Sequence, residues 1–227
     1  MNRRAVIFDM DGVLVDSYQA HFKSWQRLAA AHGLAMTEQQ FASGFGRTGR
    51  EIVRSLWDGR FTESQVLAVD AEKEVYYRQV LAESFPEMPG ADALLRQLHE
   101  AGFALAIGSS GPPENVQAIV AGLREGKLFD ATVNGMDVHR GKPDPEIFLL
   151  AASKLGIPPA CCAVIEDAPA GVQAAKAAGM VAVALTGTVQ AGQLSAADIV
   201  VDSLTALSPR TISDLIDRHR AAATAKI

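Results

Sequence analysis

Apolar positions change their spacing along this chain, and each change marks a different kind of element. Residues 4–8 (RAVIF) form a short apolar run bounded by turn signals, the pattern of a fully buried strand. Residues 17–85 then carry helical periodicity almost throughout. The stretch SYQAHFKSWQRLAAAHG sets Tyr18, Phe22, Trp25 and Ala29 on one stripe and stops at Gly33, a residue suited to ending a helix. Three T-x-x-E/Q capping boxes follow, Thr37 with Gln40, Thr48 with Glu51 and Thr62 with Gln65. In each, two side chains three residues apart satisfy backbone N–H groups that a first helical turn leaves open, so each predicts a helix start.

From PEMPG (86–90) onward, strands and helices alternate. The pattern predicts a helix over 91–101, a strand at FALAIGSS (103–110), a helix from Pro112 and a strand at ATVNG (131–135). A helix over 145–155, a strand at CCAVIED (161–167), a helix over 168–178 and strands at MVAVAL (180–185) and ADIVVDS (197–203) complete the series. After Pro209 the chain reads as a terminal helix with a polar end. Apolar strands alternating with helices predict an α/β fold with a parallel sheet covered on both faces. The first strand belongs to that sheet, so residues 16–88 read as a helical cap inserted into a catalytic core of residues 1–15 and 89–227. The insertion is too long to be a loop.

Composition narrows the classes of partner. With 227 residues, 48% of them apolar and 21% charged, the chain fits a soluble globular protein of one domain plus an insertion. A net charge of −5 disfavours nucleic acid and anionic membranes as partners, so any anionic ligand must be held by local positive groups. Two cysteines occur, the adjacent Cys161 and Cys162, which offer no disulfide framework; as small apolar residues they are expected to fill a strand. The opening MNRRAVIF could imitate a signal sequence, but Asp9 and Asp11 interrupt the apolar stretch at once. No segment has the roughly 18 uninterrupted apolar residues of a membrane span. The expected setting is cytoplasmic, as a monomer or weak dimer.

Ligands of open parallel sheets bind beyond the carboxyl ends of the strands. The polar residues closing these strands are Asp9 and Asp11 after the first, Ser109 and Ser110 after FALAIG, and Glu166 and Asp167 after CCAVI. Lys142 lies in the loop RGKPDPEIF. Two unit charges about 4 Å apart repel by roughly 4 kcal/mol at an effective dielectric near 20, so such a group of carboxylates calls for a cation. Magnesium suits oxygen ligands of this kind, taking one or two carboxylates and keeping positions for water and substrate phosphate. The serines, the helix start after Pro112 and Lys142 supply donors and positive charge to an anion. Metal and anion sites together point to phosphoryl transfer.

The ordered motifs FDMDGVLVDS, IGSSG, GKPDPEIF and VIEDAPAGVQAAKAAGM resemble those of the haloacid dehalogenase superfamily, in particular its helical-cap subgroup of sugar-phosphate phosphatases and β-phosphoglucomutase-like proteins. The resemblance spans nearly the whole chain, strongly in the core and weakly in the cap, and implies a Rossmann-like core. It implies that Asp9 is a nucleophile forming an aspartyl-phosphate, and that Asp11 is general acid to the leaving group and then base for the incoming water or hydroxyl. Ser109 would bind the transferring phosphoryl group, Ser110 would add a backbone donor, and Lys142 would offset charge. Magnesium would be held by Asp9, the Asp11 carbonyl and Asp167, with Glu166 a direct or water-mediated partner. The residues alone do not decide nucleophile from ligand.

Within the cap, the resemblance assigns substrate contact to His21, which reads equally as a partly exposed helix histidine. SGFGRTGRE offers Arg47 and Arg50 on a glycine-rich turn that could meet a sugar or a second phosphate. Mutases of the subgroup usually carry an arginine where this chain has Gly49, a departure that weighs against a mutase unless Arg50 substitutes. A phosphorylated enzyme must either admit water or exclude it until a sugar hydroxyl returns, and cap closure governs that choice. The expected activity is a magnesium-dependent phosphatase of small phosphorylated metabolites such as sugar phosphates, with a phosphosugar mutase as the alternative. A haloacid dehalogenase would not need Asp11. A signalling phosphoacceptor would carry its motifs in the reverse order.

Overall fold

The computed structural model describes residues 3–44 and 48–224. The chain divides into two compact units, Met1–Asp16 with Glu87–Ile227, and Ser17–Pro86. The first unit is built on strands β1 (Ala5–Phe8), β2 (Ala104–Gly108), β3 (Ala131–Val133), β4 (Cys162–Glu166), β5 (Val181–Leu185) and β6 (Ile199–Val201). They form one sheet in the order β3-β2-β1-β4-β5-β6, with every neighbouring pair parallel. β1, β2, β4 and β5 are buried along their whole length, which explains why their sequences are apolar runs rather than alternations.

Register fixes what emerges at the carboxyl edge. Phe8 lies opposite both Ile107 and Ile165, and Glu166 lies opposite Ala184. The Asp9 N–H donates to the Ile165 carbonyl at 2.9 Å, carrying the pairing one residue further. Asp9 on the central strand thus leaves the sheet level with Gly108 and Glu166.

The second unit consists of α1 (Tyr18–Ala31), α2 (Glu38–Gly44), α3 (Gly49–Leu56) and α4 (Glu63–Glu83). Gly33, at φ +65°, follows α1, and the Leu34 N–H turns back to the Ala29 carbonyl at 2.8 Å, closing the helix as the sequence predicts. All three capping boxes form. The Gln40, Glu51 and Gln65 N–H groups donate to Thr37, Thr48 and Thr62 Oγ1, and each returning side chain accepts its threonine's N–H at 2.8–2.9 Å. This unit has its own core, in which Trp25, Leu28, Phe41, Ile52, Trp57, Val66 and Val69 are buried. Trp25 and Trp57 meet with ring centroids 5.9 Å apart, and Tyr18 and Phe22 of the predicted stripe both contact Phe41.

Among the described residues, five further helices belong to the sheet unit: α5 (Ala91–Glu100), α6 (Pro113–Gly122), α7 (Glu146–Leu155), α8 (Pro169–Ala177) and α9 (Pro209–Thr224). Ile147, Phe148 and Ala151 of α7 and Val172 and Ala175 of α8 pack on the face formed by Ala5, Ile7, Ala106, Val164 and Ala182. Phe148 closes on Gly108, where an added Cβ would come within 3.1 Å of its ring. The sequence prediction for Cys161 needs correction: it lies in a 3-10 turn, Pro159–Cys161, set by the preceding prolines, and the strand begins at Cys162. Among the described residues, no helix is long and apolar enough to cross a membrane.

Candidate active site

Four of the residues singled out in the sequence converge at the head of the central strands. The Lys142 Nζ donates to Asp9 Oδ1 at 2.5 Å and to Glu166 Oε1 at 2.6 Å. The other Glu166 oxygen, Oε2, accepts the N–H groups of Asp167 and Ala168, both at 2.9 Å, at the turn from β4 into α8. Asp9, Glu166 and Asp167 are buried, and each offers a carboxylate oxygen within 4.8 Å of the others. Lys142 reaches in from the loop before α7, and its Nζ lies 4.9 Å from the centroid of the Phe148 ring, a cation–π contact that adds to the two ion pairs.

Two glycines make the room. Gly12, at φ +75°, lies against Asp167, whose carboxylate would overlap any side chain there. On α8, Gly171 faces the Glu166 carboxylate in the same way.

Burial dominates the electrostatics. It pushes the Asp9 carboxyl up to about 7, aided by the charges of Glu166 and Asp11, while Lys142 pulls it back. Burial, with Glu166 and Asp9, also raises Asp167 well above the usual carboxylate range against the Thr188 hydrogen bond and Lys142. For Lys142, burial alone would lower the value, but Asp9 and Glu166 outweigh it and hold the ammonium above its ordinary range. Three buried carboxylates thus face one ammonium. Such an oxygen donor set, short of positive charge, fits a hard divalent cation.

Asp11 is half-buried, is bridged to Val15, and contributes no carboxylate to the close trio. Ser109 is buried; its N–H donates to the Val133 carbonyl at 3.0 Å and its Oγ accepts the Gly111 N–H at 3.1 Å, closing the turn into α6. Ser110 is exposed.

In the helical unit, His21 stacks on Tyr77 with centroids 4.0 Å apart, and its Nδ1 lies 3.0 Å from Lys73 Nζ. Arg50 is half-exposed and 3.8 Å from Asp70. Gly49 lies directly against the Asp70 carboxylate, which would overlap a side chain at that position. Arg47 lies outside the described residues.

Two residues at these places escaped the sequence reading. Thr188, after β5, donates its hydroxyl to Asp167 Oδ2 in a short hydrogen bond. Its signal in the sequence is the pair of polar residues after β5, Thr186 and Thr188, at the same carboxyl edge as the residues that close β1, β2 and β4. Lys73 is 4% exposed and also bonds Glu74 at 2.7 Å. A lysine in the middle of a long helix gives no signal of burial.

The fold and its acidic edge define an α/β enzyme of the kind that binds ligands at strand ends. The profile of the haloacid dehalogenase-like hydrolases matches residues 3–179. Hexitol phosphatase A of Escherichia coli (strain K12) is 36% identical over 206 residues, covering 90% of this chain and 93% of that one. Validoxylamine A 7′-phosphate phosphatase of Streptomyces hygroscopicus subsp. limoneus is 34% identical over 208 residues, covering 89% and 94%. The crystal structure of β-phosphoglucomutase from Clostridium difficile superposes with a TM-score of 0.80 at 26% identity, covering 96% of this chain and 99% of that one. The chain therefore belongs to the haloacid dehalogenase-like hydrolases, and it is a phosphoric monoester hydrolase.

Proposed function

We propose that this enzyme is a magnesium-dependent phosphatase of small phosphorylated sugars or polyols, working through an aspartyl-phosphate on Asp9. The observation that carries the reading is Asp9 itself, pinned through Oδ1 by Lys142 on the central strand beside two further buried carboxylates. With Oδ1 held, Oδ2 is the oxygen available for attack on phosphorus. The P–O bond to the substrate breaks as the Asp9–phosphorus bond forms, and Asp11 gives the departing alkoxide its proton. Water then attacks the acyl phosphate, Asp11 takes the water's proton, and inorganic phosphate leaves with Asp9 restored. Ser109 and Lys142 hold the phosphoryl oxygens throughout, with the Ser110 backbone as a further donor.

Asp9, Asp167 and the Asp11 carbonyl would hold magnesium, with Glu166 beside them. When bound, the ion screens the phosphoryl charge and keeps the carboxylates ionised together. Substrate choice falls to the helical unit, through His21, Arg50 and Arg47. Relatives named for hexitol and for validoxylamine A 7′-phosphate support a hydroxyl-rich phosphate ester as substrate. Likeness to a β-phosphoglucomutase supports a second reading, in which a sugar hydroxyl rather than water takes the phosphoryl group. We place the enzyme in the cytoplasm, as a monomer or weak dimer; its free, buried cysteines fit a reducing compartment.

The test is phosphate release from a panel of phosphorylated sugars and polyols with magnesium, run beside a coupled assay converting β-glucose 1-phosphate to glucose 6-phosphate. Release without isomer conversion is expected. Conversion with little free phosphate would establish the mutase instead. Asp9→Asn is expected to abolish turnover and leave the circular dichroism spectrum unchanged; substantial residual activity would remove Asp9 as nucleophile.

A further inference from the structure

Asp167 is held differently from its two acidic neighbours. Asp9 and Glu166 both bond the Lys142 ammonium, and Glu166 also accepts two backbone N–H groups. The donor to Asp167 is instead a neutral hydroxyl, that of Thr188, on Oδ2. A neutral donor orients a carboxylate without cancelling its charge, which is what an anionic ligand to a cation requires.

The segment after β5 is built to deliver that hydroxyl. The Thr186 N–H donates to the Val201 carbonyl at 2.9 Å and its Oγ1 to Asp202 Oδ1 at 3.2 Å, tying the start of the loop to β6. Gly187 then turns at φ +134°, a conformation that side-chain-bearing residues rarely adopt. From the other side, Gly12 leaves the space: a Cβ there would overlap the Asp167 carboxylate and come within 2.9 Å of Thr188 Oγ1. Asp167 Oδ2 is thus seated between the β1 turn and the β5 loop.

We propose that Thr188 is a positioning residue for the metal site, acting through Asp167: by fixing Oδ2 it presents Oδ1 to a divalent cation and so sets the affinity of the resting enzyme for magnesium. The inference rests on the metal reading given above and adds a residue, in the loop after β5 and outside the family motifs, that tunes it.

The test is calorimetric titration of the substrate-free enzyme with magnesium chloride, in wild type and in Thr188→Val, Thr188→Ser and Gly187→Ala. Thr188→Val keeps the shape and removes the hydroxyl, and is expected to weaken magnesium binding by about tenfold or more, the usual cost of losing a partner of a metal-ligating side chain. Thr188→Ser restores the donor and is expected to bind close to wild type. Gly187→Ala keeps the hydroxyl but strains the turn that delivers it, and is expected to weaken binding as the valine does. In turnover, the valine change should raise the magnesium concentration needed for half-activation, and Thr188→Ser should return it toward the wild-type value. Magnesium affinity unchanged in Thr188→Val, or lost equally in Thr188→Ser, overturns the role of Thr188 while leaving the metal site standing. A wild-type enzyme that binds no magnesium overturns the metal reading and this inference with it.

Discussion

Glu166 commits both carboxylate oxygens to the protein itself, one to Lys142 and one to the N–H groups of Asp167 and Ala168. It therefore organises the site as a strut between a lysine and a turn, and it cannot move aside without breaking both. Gly171→Ala would drive a methyl group into that fixed carboxylate. The substitution is expected to cost about 3 kcal/mol by overpacking beside a buried charge, read as a lowered urea midpoint with an unchanged slope. At this scale the grouping of Asp9, Lys142, Glu166 and Asp167 was legible because three of them lie at the carboxyl ends of buried apolar strands and the fourth sits in a distinctive loop. Thr188 was not, since its reach depends on a glycine turn two residues past β5 rather than on a strand end. Lys73 was not either: its burial against His21 and Glu74 arises from the packing of α4 on α1, which no local pattern encodes.

Among the elements, helix starts were the most readable because a capping box is a contract between residues three apart. Thr62, at the start of the 21-residue α4, takes part in such a box on an exposed surface. Thr62→Ala is expected to cost about 1 kcal/mol, the usual loss for an N-cap threonine, and Thr62→Ser to recover most of it, both measured by urea unfolding. Strands were readable as apolar runs, although the run at 161 began one residue early because two prolines hold Cys161 in a turn. Strand order was not readable. The order β3-β2-β1-β4-β5-β6 depends on pairings between segments up to about a hundred and fifty residues apart, and nearly uniform apolar strands carry no label for their neighbours.

For the whole molecule, two separate cores mean that a ligand can stabilise one unit selectively. Three carboxylates facing one ammonium belong entirely to the sheet unit. Magnesium at a hundred times its dissociation constant is expected to stabilise the native state by about 2.7 kcal/mol. Relative to protein in EDTA, amide exchange should slow around residues 9–12, 166–168 and 186–190, with the buried core of α1–α4 unaffected. Equal slowing in both units would count against a site confined to the sheet.

The hydrogen bonds that flank the helical insertion carry a different consequence. Val15 is bridged to both Asp11 and Glu87, and the Met88 N–H donates to the Leu14 carbonyl at 2.9 Å. The chain thus leaves the sheet unit and re-enters it through neighbours already joined to each other, so the cost of closing the excursion scarcely depends on what lies between them. An insert mounted in this way is a cassette. Evolution, or an engineer grafting a foreign helical segment between Asp16 and Glu87, can replace the helical unit without disturbing the register that aligns the acids.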